Sequence, residues 1–309
     1  MAPKGKKMQW FKKIKNNCIF GGLKILIFTL QKLPFGMVSV AGKQLGQWAF
    51  YIAQGERKKT IQNLKLAFKD KYSEKEINEI AKSVFVNLGK NFFEMINWSA
   101  WSKDRVLKQI VRHYGFEHLQ SAVNKKKGVL AVTAHLGNWE LLAAYISAIF
   151  PVAVIAQKLY DPRLNQMINQ FRENWGCEII QRGAALKKIL KALKNNKVIG
   201  VLADQDTGND GIFVHFFNKL AWTQTGIARI AIKTGCAIVP VFIVRGASGQ
   251  FEIHIESEIH YSLADDESTN IRNLVQQYTE IIQNYVSRFP DQWVWMHERW
   301  RTQPIRHEI

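Results

Sequence analysis

Gly128–Leu142, with the sequence GVLAVTAHLGNWELL, joins a strand, a turn and the beginning of a helix in one run. Val129–Val132 is apolar and rich in β-branched residues, which is typical of a buried strand. Gly137 allows a tight turn, and Asn138 is a favourable N-cap for the helix that follows. This arrangement predicts a strand–turn–helix unit of the kind from which α/β domains are built.

His135 and Glu140 lie on either side of that turn. We expect His135 at the carboxyl end of the strand and Glu140 in the first turn of the helix, where the bend lets the carboxylate approach the imidazole. A carboxylate bonded to one ring nitrogen fixes the tautomer and makes the other nitrogen a better base. We interpret the two residues as a general-base dyad. A histidine followed by a glutamate at this spacing is also common in proteins where neither residue is catalytic.

The rest of the chain alternates short apolar strands with helices. This alternation predicts an α/β fold with a mostly parallel central sheet flanked by helices. In such sheets, ligands bind beyond the carboxyl ends of the strands. His135, Gln157, Arg182 and Asp204 each follow a predicted strand. We therefore expect these four side chains to lie around a shared site.

Two local patterns give further structural predictions. Ser73 and Glu76 have the spacing of a capping box at the start of a long helix. Pro240 lies inside the predicted strand 237–244, and a proline in a central strand is disfavoured. The strand is therefore predicted to be at an edge of the sheet, bulged or irregular. The segment 204–220 is predicted to be a loop.

Four blocks of sequence carry a family resemblance. They are HLGNWE (135–140), ADQDTGNDGIFVHFF (203–217), TQTGIARIAIKTGCAIVPVF (223–242) and QWVWMHERWRTQP (292–304). In this order they resemble the bacterial lipid A biosynthesis acyltransferases, the lauroyl and myristoyl transferase family. That family belongs to the lysophospholipid acyltransferase superfamily, whose signature is a histidine, four residues and an acidic residue. The resemblance covers Arg57 to Pro304.

The resemblance implies an O-acyltransferase with no resident cofactor. The donor would be a fatty acyl thioester of acyl carrier protein, and the acceptor would be a hydroxyl of a phosphorylated glucosamine lipid, a lipid A precursor. His135 would take the hydroxyl proton while Glu140 holds the ring. The chain has no G-x-S-x-G nucleophile motif, which agrees with direct transfer. Backbone N–H groups at Gly137 and Asn138, or the Arg182 guanidinium, are candidate donors to the oxyanion.

Polar residues near the predicted strand ends are the candidates for substrate binding. They are Asn138, Arg182, Asp204, Gln205, Asp206 and Arg229. The arginines could bind phosphates, although surface charge is the favoured interpretation for each. Asp204 and Asp206 could approach a divalent cation, but two carboxylates without further ligands make a weak site. We therefore predict no metal and expect these carboxylates to shape their loop by hydrogen bonding.

The composition narrows the possible partners. The chain has 309 residues, 47% of them hydrophobic, and a net charge of +18, which favours acidic partners such as an anionic membrane, an acidic protein or a phosphorylated lipid. Nucleic-acid binding is disfavoured, because the aromatic residues fall mostly in apolar runs rather than among basic residues. The three cysteines are scattered without metal-ligand spacing, which suggests reduced thiols in a cytosolic catalytic body.

The N-terminal segment differs from the rest of the chain in combining many lysines with apolar runs. We divide the chain into a basic and apolar membrane-anchoring segment, 1–55, and an acyltransferase domain, 56–309. The apolar run 18–30 is interrupted by Lys24 and is shorter than the ~20 residues of a spanning helix. It lacks a cleavage site, so a secretory signal is rejected. We expect a helix at the cytoplasmic face of the inner membrane, where the resemblance implies an anchor. A core helix with a solvated basic tail is the alternative.

The acceptor is left open by these observations. A membrane acyltransferase acting on a lysophospholipid, or on a glycolipid other than lipid A, would share the same motifs. The acyl chain length and the acylated hydroxyl depend on the shape of the pocket rather than on a sequence pattern.

Overall fold

The computed structural model describes residues 17, 20–159, 161–183, 185–208, 210–261 and 266–304. The predicted basic tail, residues 1–15, and Cys18 lie outside the described residues. The helices are α1 (residues 20–32), α2 (Phe35–Ile52), α3 (Gln54–Phe68), α4 (Glu74–Trp98), α5 (Lys103–Leu107), α6 (Phe116–Asn124), α7 (Trp139–Ser147), α8 (Pro162–Asn174), α9 (Ala185–Lys194), α10 (Gly226–Thr234) and α11 (Glu267–Arg288). The strands are β1 (Ile110–Tyr114), β2 (Val129–Thr133), β3 (Val152–Ala156), β4 (Cys177–Gln181), β5 (Val198–Leu202), β6 (Gly211–Phe216), β7 (Lys219–Gln224), β8 (Ala237–Arg245) and β9 (Phe251–Ile255).

The central sheet has the strand order β1-β9-β8-β2-β5-β3-β4. The β8–β9 pair is antiparallel and the remaining pairs are parallel. This arrangement confirms the predicted α/β fold with a mostly parallel sheet and flanking helices.

β2 lies in the middle of the sheet because both of its faces are apolar. Val129 and Ala131 join the hydrophobic cluster that includes residues of α6 and α7. Leu130 and Val132 point the other way, into the larger cluster formed with α9, α10 and α11. A strand buried on both faces reads as a continuous hydrophobic run rather than an alternating one, as this strand does.

The register between β2 and β5 positions the site. The two strands are parallel neighbours, with Thr133 opposite Leu202 at their carboxyl ends. His135 and Asp204 each follow their strand at the same offset, and the Ala203 amide donates to the Thr133 carbonyl to continue the pairing. Two residues that are 69 positions apart in the chain therefore emerge side by side.

Of the alternatives predicted for the strand around Pro240, the edge position was wrong, and an irregularity at the proline is observed. β8 is an interior strand between β2 and β9. The ladder with β2 ends at Pro240, opposite Val132, and the ladder with β9 begins at Val241. The missing amide of the proline therefore falls where the strand changes partners, and its carbonyl still accepts a hydrogen bond from the Glu256 amide. The residue is tolerated because it interrupts no continuous ladder.

The segment predicted as a loop after Asp204 contains an antiparallel hairpin, β6–β7. Its turn residues, Phe217 and Asn218, both have positive φ angles of 51° and 57°. Such a turn matches the right-handed twist of a hairpin, although a phenylalanine seldom adopts it. Phe217 is held there by packing against Phe68 and Trp295. The aromatic residues at this turn, Phe216 and Phe217, are buried in the core.

α2 and α4 pack at close range through small residues. Gly42 and Gly89 bring the two backbones together, and a Cβ on either would overlap the opposite chain. α4 begins with the predicted capping box, which the structure confirms at Ser73 and Glu76. Among the described residues, no helix combines the length and the hydropathy needed to cross a bilayer. The division into segments 1–55 and 56–309 stays a prediction.

Candidate functional site

A cleft of about 500 Å³ opens at the carboxyl ends of β2, β3 and β5. Such a volume is within the usual range for small-molecule sites. Its polar lining includes His135, Glu140, Gln157, Arg172, Arg182 and Gln205, and its apolar lining includes Leu159, Ile168, Ile189, Ile227 and Ile230. The predicted convergence of residues at strand ends is therefore observed for His135, Gln157 and Arg182, and Asp204 lies directly behind the histidine.

His135 is bound by Asp204. The Nδ1 atom lies 2.9 Å from Asp204 Oδ1, and the His135 backbone amide donates to Oδ2 at 2.9 Å. In the neutral ring, a proton on Nδ1 donated to this carboxylate leaves Nε2 as the basic nitrogen. The ring forms part of the cleft wall and packs edge-on against Trp139, with centroids 5.1 Å apart.

The C-terminal segment holds both members of this pair. Trp293 is fully buried, and its indole N–H donates to Asp204 Oδ2 at 2.7 Å. Leu136 and Trp293 form an isolated antiparallel bridge, and the Val294 amide donates to the His135 carbonyl. The turn that presents the histidine is thus paired with a segment more than 150 residues further along the chain.

The two titrating groups shift in opposite directions. Burial alone would lower the pKa of His135, but the charge and the hydrogen bond of Asp204, together with the charge of Glu140, raise the pKa above its usual range. Burial alone would raise the pKa of Asp204, yet contacts with His135 and Trp293 lower it. The pair therefore favours an ionised carboxylate beside an imidazole that readily accepts a proton.

The predicted contact between Glu140 and His135 is replaced by two other pairs. Glu140 accepts two hydrogen bonds from Arg172 of α8, from Nε at 2.9 Å and from Nη2 at 2.5 Å. The hydrogen bond on the imidazole comes from Asp204 instead. The physical reason is that the register of β2 and β5 brings Asp204 to Nδ1, whereas Glu140 begins α7 and faces α8. Glu140 still lies close enough for its charge to raise the histidine pKa.

A second, smaller cavity of about 70 Å³ lies beneath α7, on the other face of the sheet. Its walls are mostly apolar and include Ala131, Val154 and Gly200. Glu140 and Arg172 line both this cavity and the large cleft. The ion pair therefore lies at the boundary between the two spaces.

The remaining predicted site residues have different surroundings. Gln205 and Arg182 line the cleft. Asn138 caps α7 by accepting from the Leu141 amide. Asp206 accepts from the amides of Gly208 and Thr302, as expected of a carboxylate that shapes its loop. Arg229, on α10, lies near the carboxylates of Asp210 and Glu267. The substrate-binding roles of these residues stay predictions.

The turn after His135 is also supported from behind. The Gly137 amide donates to the Gln292 carbonyl, so it is engaged within the protein and not placed as an oxyanion donor. The Gly137 carbonyl accepts from Asn91, which in turn accepts from Arg245. Arg245 pairs with Glu94 in the core, with its Nη2 atom 2.6 Å from the carboxylate. Because the turn is braced on both sides, the histidine is held in one orientation.

Sequence reasoning missed three residues around His135: Trp139, Arg172 and Trp293. Trp139 lies within the HLGNWE block, yet nothing in its pattern distinguishes a ring partner from a core residue. Arg172 lies on a helix with many polar residues, and its partner is 32 positions away. Trp293 belongs to the QWVWMHERWRTQP block, where the density of aromatic residues was the available signal.

The site is thus a histidine with one nitrogen held by a buried carboxylate, at the strand ends of an α/β sheet and beside a cleft with apolar walls. This is the geometry that general-base chemistry requires. The sequence model of the bacterial lipid A biosynthesis acyltransferases matches residues 9–302. The chain belongs to this family and is an acyltransferase.

Individual relatives agree with this assignment. The lipid A biosynthesis lauroyltransferase of Escherichia coli (strain K12) is 27% identical over 92% of this chain and 91% of its own length. The lipid A biosynthesis palmitoleoyltransferase of the same organism is 26% identical over 92% and 91%. A phosphatidylinositol mannoside acyltransferase of Mycobacterium tuberculosis (strain CDC 1551 / Oshkosh) is 22% identical over 69% of this chain and 67% of its own.

Proposed function

We propose that this acyltransferase moves a fatty acyl chain from an acyl carrier protein thioester to a hydroxyl of a lipid A precursor, with His135 as the general base. The observation that carries the proposal is the Asp204–His135 pair at the wall of a cleft with apolar sides. The family membership and the names of the relatives support the acceptor class.

The reaction needs no covalent intermediate on the protein. His135 Nε2 takes the proton of the acceptor hydroxyl while that oxygen attacks the thioester carbonyl carbon. The tetrahedral intermediate then collapses, the carbon–sulfur bond breaks, and the departing thiolate receives the proton from the imidazolium. The ester is formed, the thiol is released, and the histidine returns to its neutral state.

Asp204 and Glu140 have separate roles in this proposal. Asp204 orients the ring and stabilises the imidazolium through a direct hydrogen bond. Glu140 contributes its charge at longer range and holds Arg172 by a bidentate contact. Arg172 faces the cleft, so its guanidinium is positioned to stabilise negative charge that develops on the thioester oxygen. Arg182 is the other candidate for that task, because it also lines the cleft.

The large cleft is the space we assign to the acyl chain. Ile168, Ile189 and Ile230 provide apolar walls from three different helices. The smaller cavity beneath α7, at about 70 Å³, is not given this role, because His135 lines the large cleft and is not among the residues that line the smaller cavity.

We further propose that the enzyme works at the cytoplasmic face of the inner membrane, against its anionic surface. α2 exposes Met37, Val40 and Trp48, the last with 66% of its surface accessible. Exposed large apolar residues beside lysines suit an interfacial helix. α8, whose Ile168 lines the cleft, packs through Met167 on the cluster formed with α1. This adjacency gives a lipid acceptor a short route from the interface to the cleft.

A second acceptor class has a specific observation in its favour. The matching mycobacterial relatives are phosphatidylinositol mannoside acyltransferases by name, and one of them matches over 69% of this chain. A membrane glycolipid or lysophospholipid other than lipid A is therefore the alternative.

The test is an acyl-transfer assay with purified acyl carrier protein thioester and either a tetra-acyl lipid A precursor or a lysophospholipid as acceptor. His135→Ala should reduce kcat by about 10²–10⁴-fold, the usual contribution of a general base, while the protein stays folded by circular dichroism. Near-native turnover by folded His135→Ala would refute the base assignment. Wild-type activity on lysophospholipid alone would favour the second acceptor class.

A further inference from the structure

Helix α9 carries an unusual charge distribution at the rim of the cleft. Ala185 and Ile189 face inward and line the cleft wall. The outward face carries Lys187, Lys188, Lys191 and Lys194, all exposed. In the part of the chain that the structure describes, no carboxylate forms a salt bridge with these lysines. The rim of the site is thus a concentrated, unneutralised positive surface.

Helix stability does not account for this pattern. Lys191 and Lys194 lie in the last turn, where a positive charge is favoured by the helix dipole. Lys187 and Lys188 lie in the first turn, where the same dipole makes a positive charge unfavourable. The first turn contains no acidic residue to compensate. These two lysines therefore weaken their own helix, which points to a role outside it.

Exposed apolar residues accompany the lysines. Leu186 lies beside them with 57% of its surface accessible, and Leu159, which lines the cleft, is 40% accessible. Arg182 follows β4 on the same rim, also exposed. A small apolar centre within a ring of cations is the complement of an acidic protein surface with an exposed apolar residue. A lipid bilayer would instead require the broad apolar exposure that α1 and α2 present.

We propose that the outer face of α9, with Lys187 and Lys188 around Leu186, is the docking surface for the acidic carrier protein that delivers the acyl thioester. This inference rests on the proposed function, which requires such a donor. Docking on α9 brings the carrier to the cleft wall formed by Ala185 and Ile189, so a thioester on a flexible arm enters beside the apolar walls and reaches His135. The lysines set the affinity for the carrier and take no part in the chemistry.

The test is the double substitution Lys187→Glu/Lys188→Glu, assayed with two donors that carry the same acyl group. One donor is the acyl carrier protein thioester and the other is acyl-pantetheine, an uncharged small thioester. The acceptor is presented in neutral detergent micelles. The KM for the carrier should rise at least about tenfold, equivalent to 1.4 kcal/mol of binding, with kcat and the KM for acyl-pantetheine unchanged. Added salt should raise the wild-type KM for the carrier and leave that of the variant nearly constant.

A matched control and a stability measurement make the outcomes decisive. Lys75→Glu/Lys108→Glu removes the same charge from exposed positions outside the cleft walls and should leave both KM values unchanged. Because glutamates suit the first turn of α9, Tm of the test variant should stay level or rise. Equal loss with both donors, or no change with the carrier, would overturn the docking proposal. If activity falls only when the acceptor is presented in anionic vesicles, and falls equally with both donors, the outer face of α9 binds the membrane instead. A wild type that uses only acyl-pantetheine would refute the proposed donor itself.

Discussion

Two carboxylates bind nitrogen-containing side chains at the same cleft, and they are held in different ways. Asp204 binds His135 at the ends of adjacent parallel strands, and Trp293 and the His135 amide complete its hydrogen bonds. Glu140 binds Arg172 between two helices, α7 and α8, with each side chain about one fifth exposed. The first pair depends on strand register, with its carboxylate buried and its imidazole on the cleft wall. The second depends on helix packing and faces two cavities.

The difference shows how the position of a carboxylate in the fold determines its partner. A side chain at a strand end has its neighbours set by the register, so Asp204 reaches Nδ1 with little freedom. A side chain in the first turn of a helix can turn towards several partners, and Glu140 meets the strongest donor available, a bidentate guanidinium. Direct contact with the imidazole should therefore matter more for Asp204, and charge at a distance should be the main contribution of Glu140.

The largest expected effect separates the two carboxylates. Asp204→Asn removes the charge bonded to the ring, so kcat should fall by at least about 100-fold and the pKa of His135 should drop. Since the base must be neutral, the acidic limb of the kcat/KM profile should move to lower pH. Glu140→Gln should lower activity by only about tenfold and move the limb less, because its effect on the ring is through space. The measurement is the pH dependence of kcat/KM for both variants.

The stability of Glu140→Gln is measured as a control, so that a loss of activity can be compared with a loss of folding. Glu140→Gln leaves Arg172 with a weaker partner and should cost about 1–3 kcal/mol in the free energy of unfolding, measured with urea. If Glu140→Gln shifts the acidic limb of the profile as far as Asp204→Asn does, the predicted pairing of His135 with Glu140 describes the active state better than the contact with Asp204.

The Asp204–His135 pair also shows which features of the site could be predicted from the sequence and which could not. The strand before His135, the turn at Gly137 and the helix cap at Asn138 are local features, and all were predictable from neighbouring residues. The convergence of strand ends was predictable from the alternation of strands and helices. The partner of His135 was not, because nothing in the sequence states that β5 pairs with β2. For the same reason, a tryptophan close to the C-terminal end could not be linked to Asp204.

A smaller loss of activity is expected when the hydrogen bond from Trp293 to Asp204 is removed. Trp293→Phe removes the indole N–H that donates to Oδ2 while keeping most of the buried ring. The loss of a hydrogen bond worth about 0.5–1.5 kcal/mol should reduce kcat by about 2–12-fold. It should also lower activity at acidic pH more than at neutral pH, because the pKa of Asp204 rises when a donor to its ionised form is removed. A pH profile of kcat is the measurement.

Trp295→Phe is the matched control for that variant. Its indole N–H donates to the Pro290 carbonyl and not to the carboxylate, and the side chain is equally buried. Both variants should lose similar stability, yet only Trp293→Phe should change the pH profile. If the two profiles are the same, Trp293 is a packing residue and Asp204 keeps its position without it.

The smallest effect is expected at the cavity beneath α7. Gly200 lies in β5 on its wall, and an added Cβ would meet Val154 at 3.6 Å, an ordinary contact. Gly200→Ala should therefore raise the free energy of unfolding by up to about 1 kcal/mol, since alanine loses less conformational freedom on folding. In a competition assay between donors of different acyl chain length, Gly200→Ala should show the same preference as the wild type, because the acyl chain is assigned to the cleft on the other face of the sheet.

Ile168→Trp narrows that cleft and should favour shorter acyl chains in the same competition assay. A shift towards shorter chains in Gly200→Ala alone would instead show that the chain passes the Glu140–Arg172 pair and enters the smaller cavity.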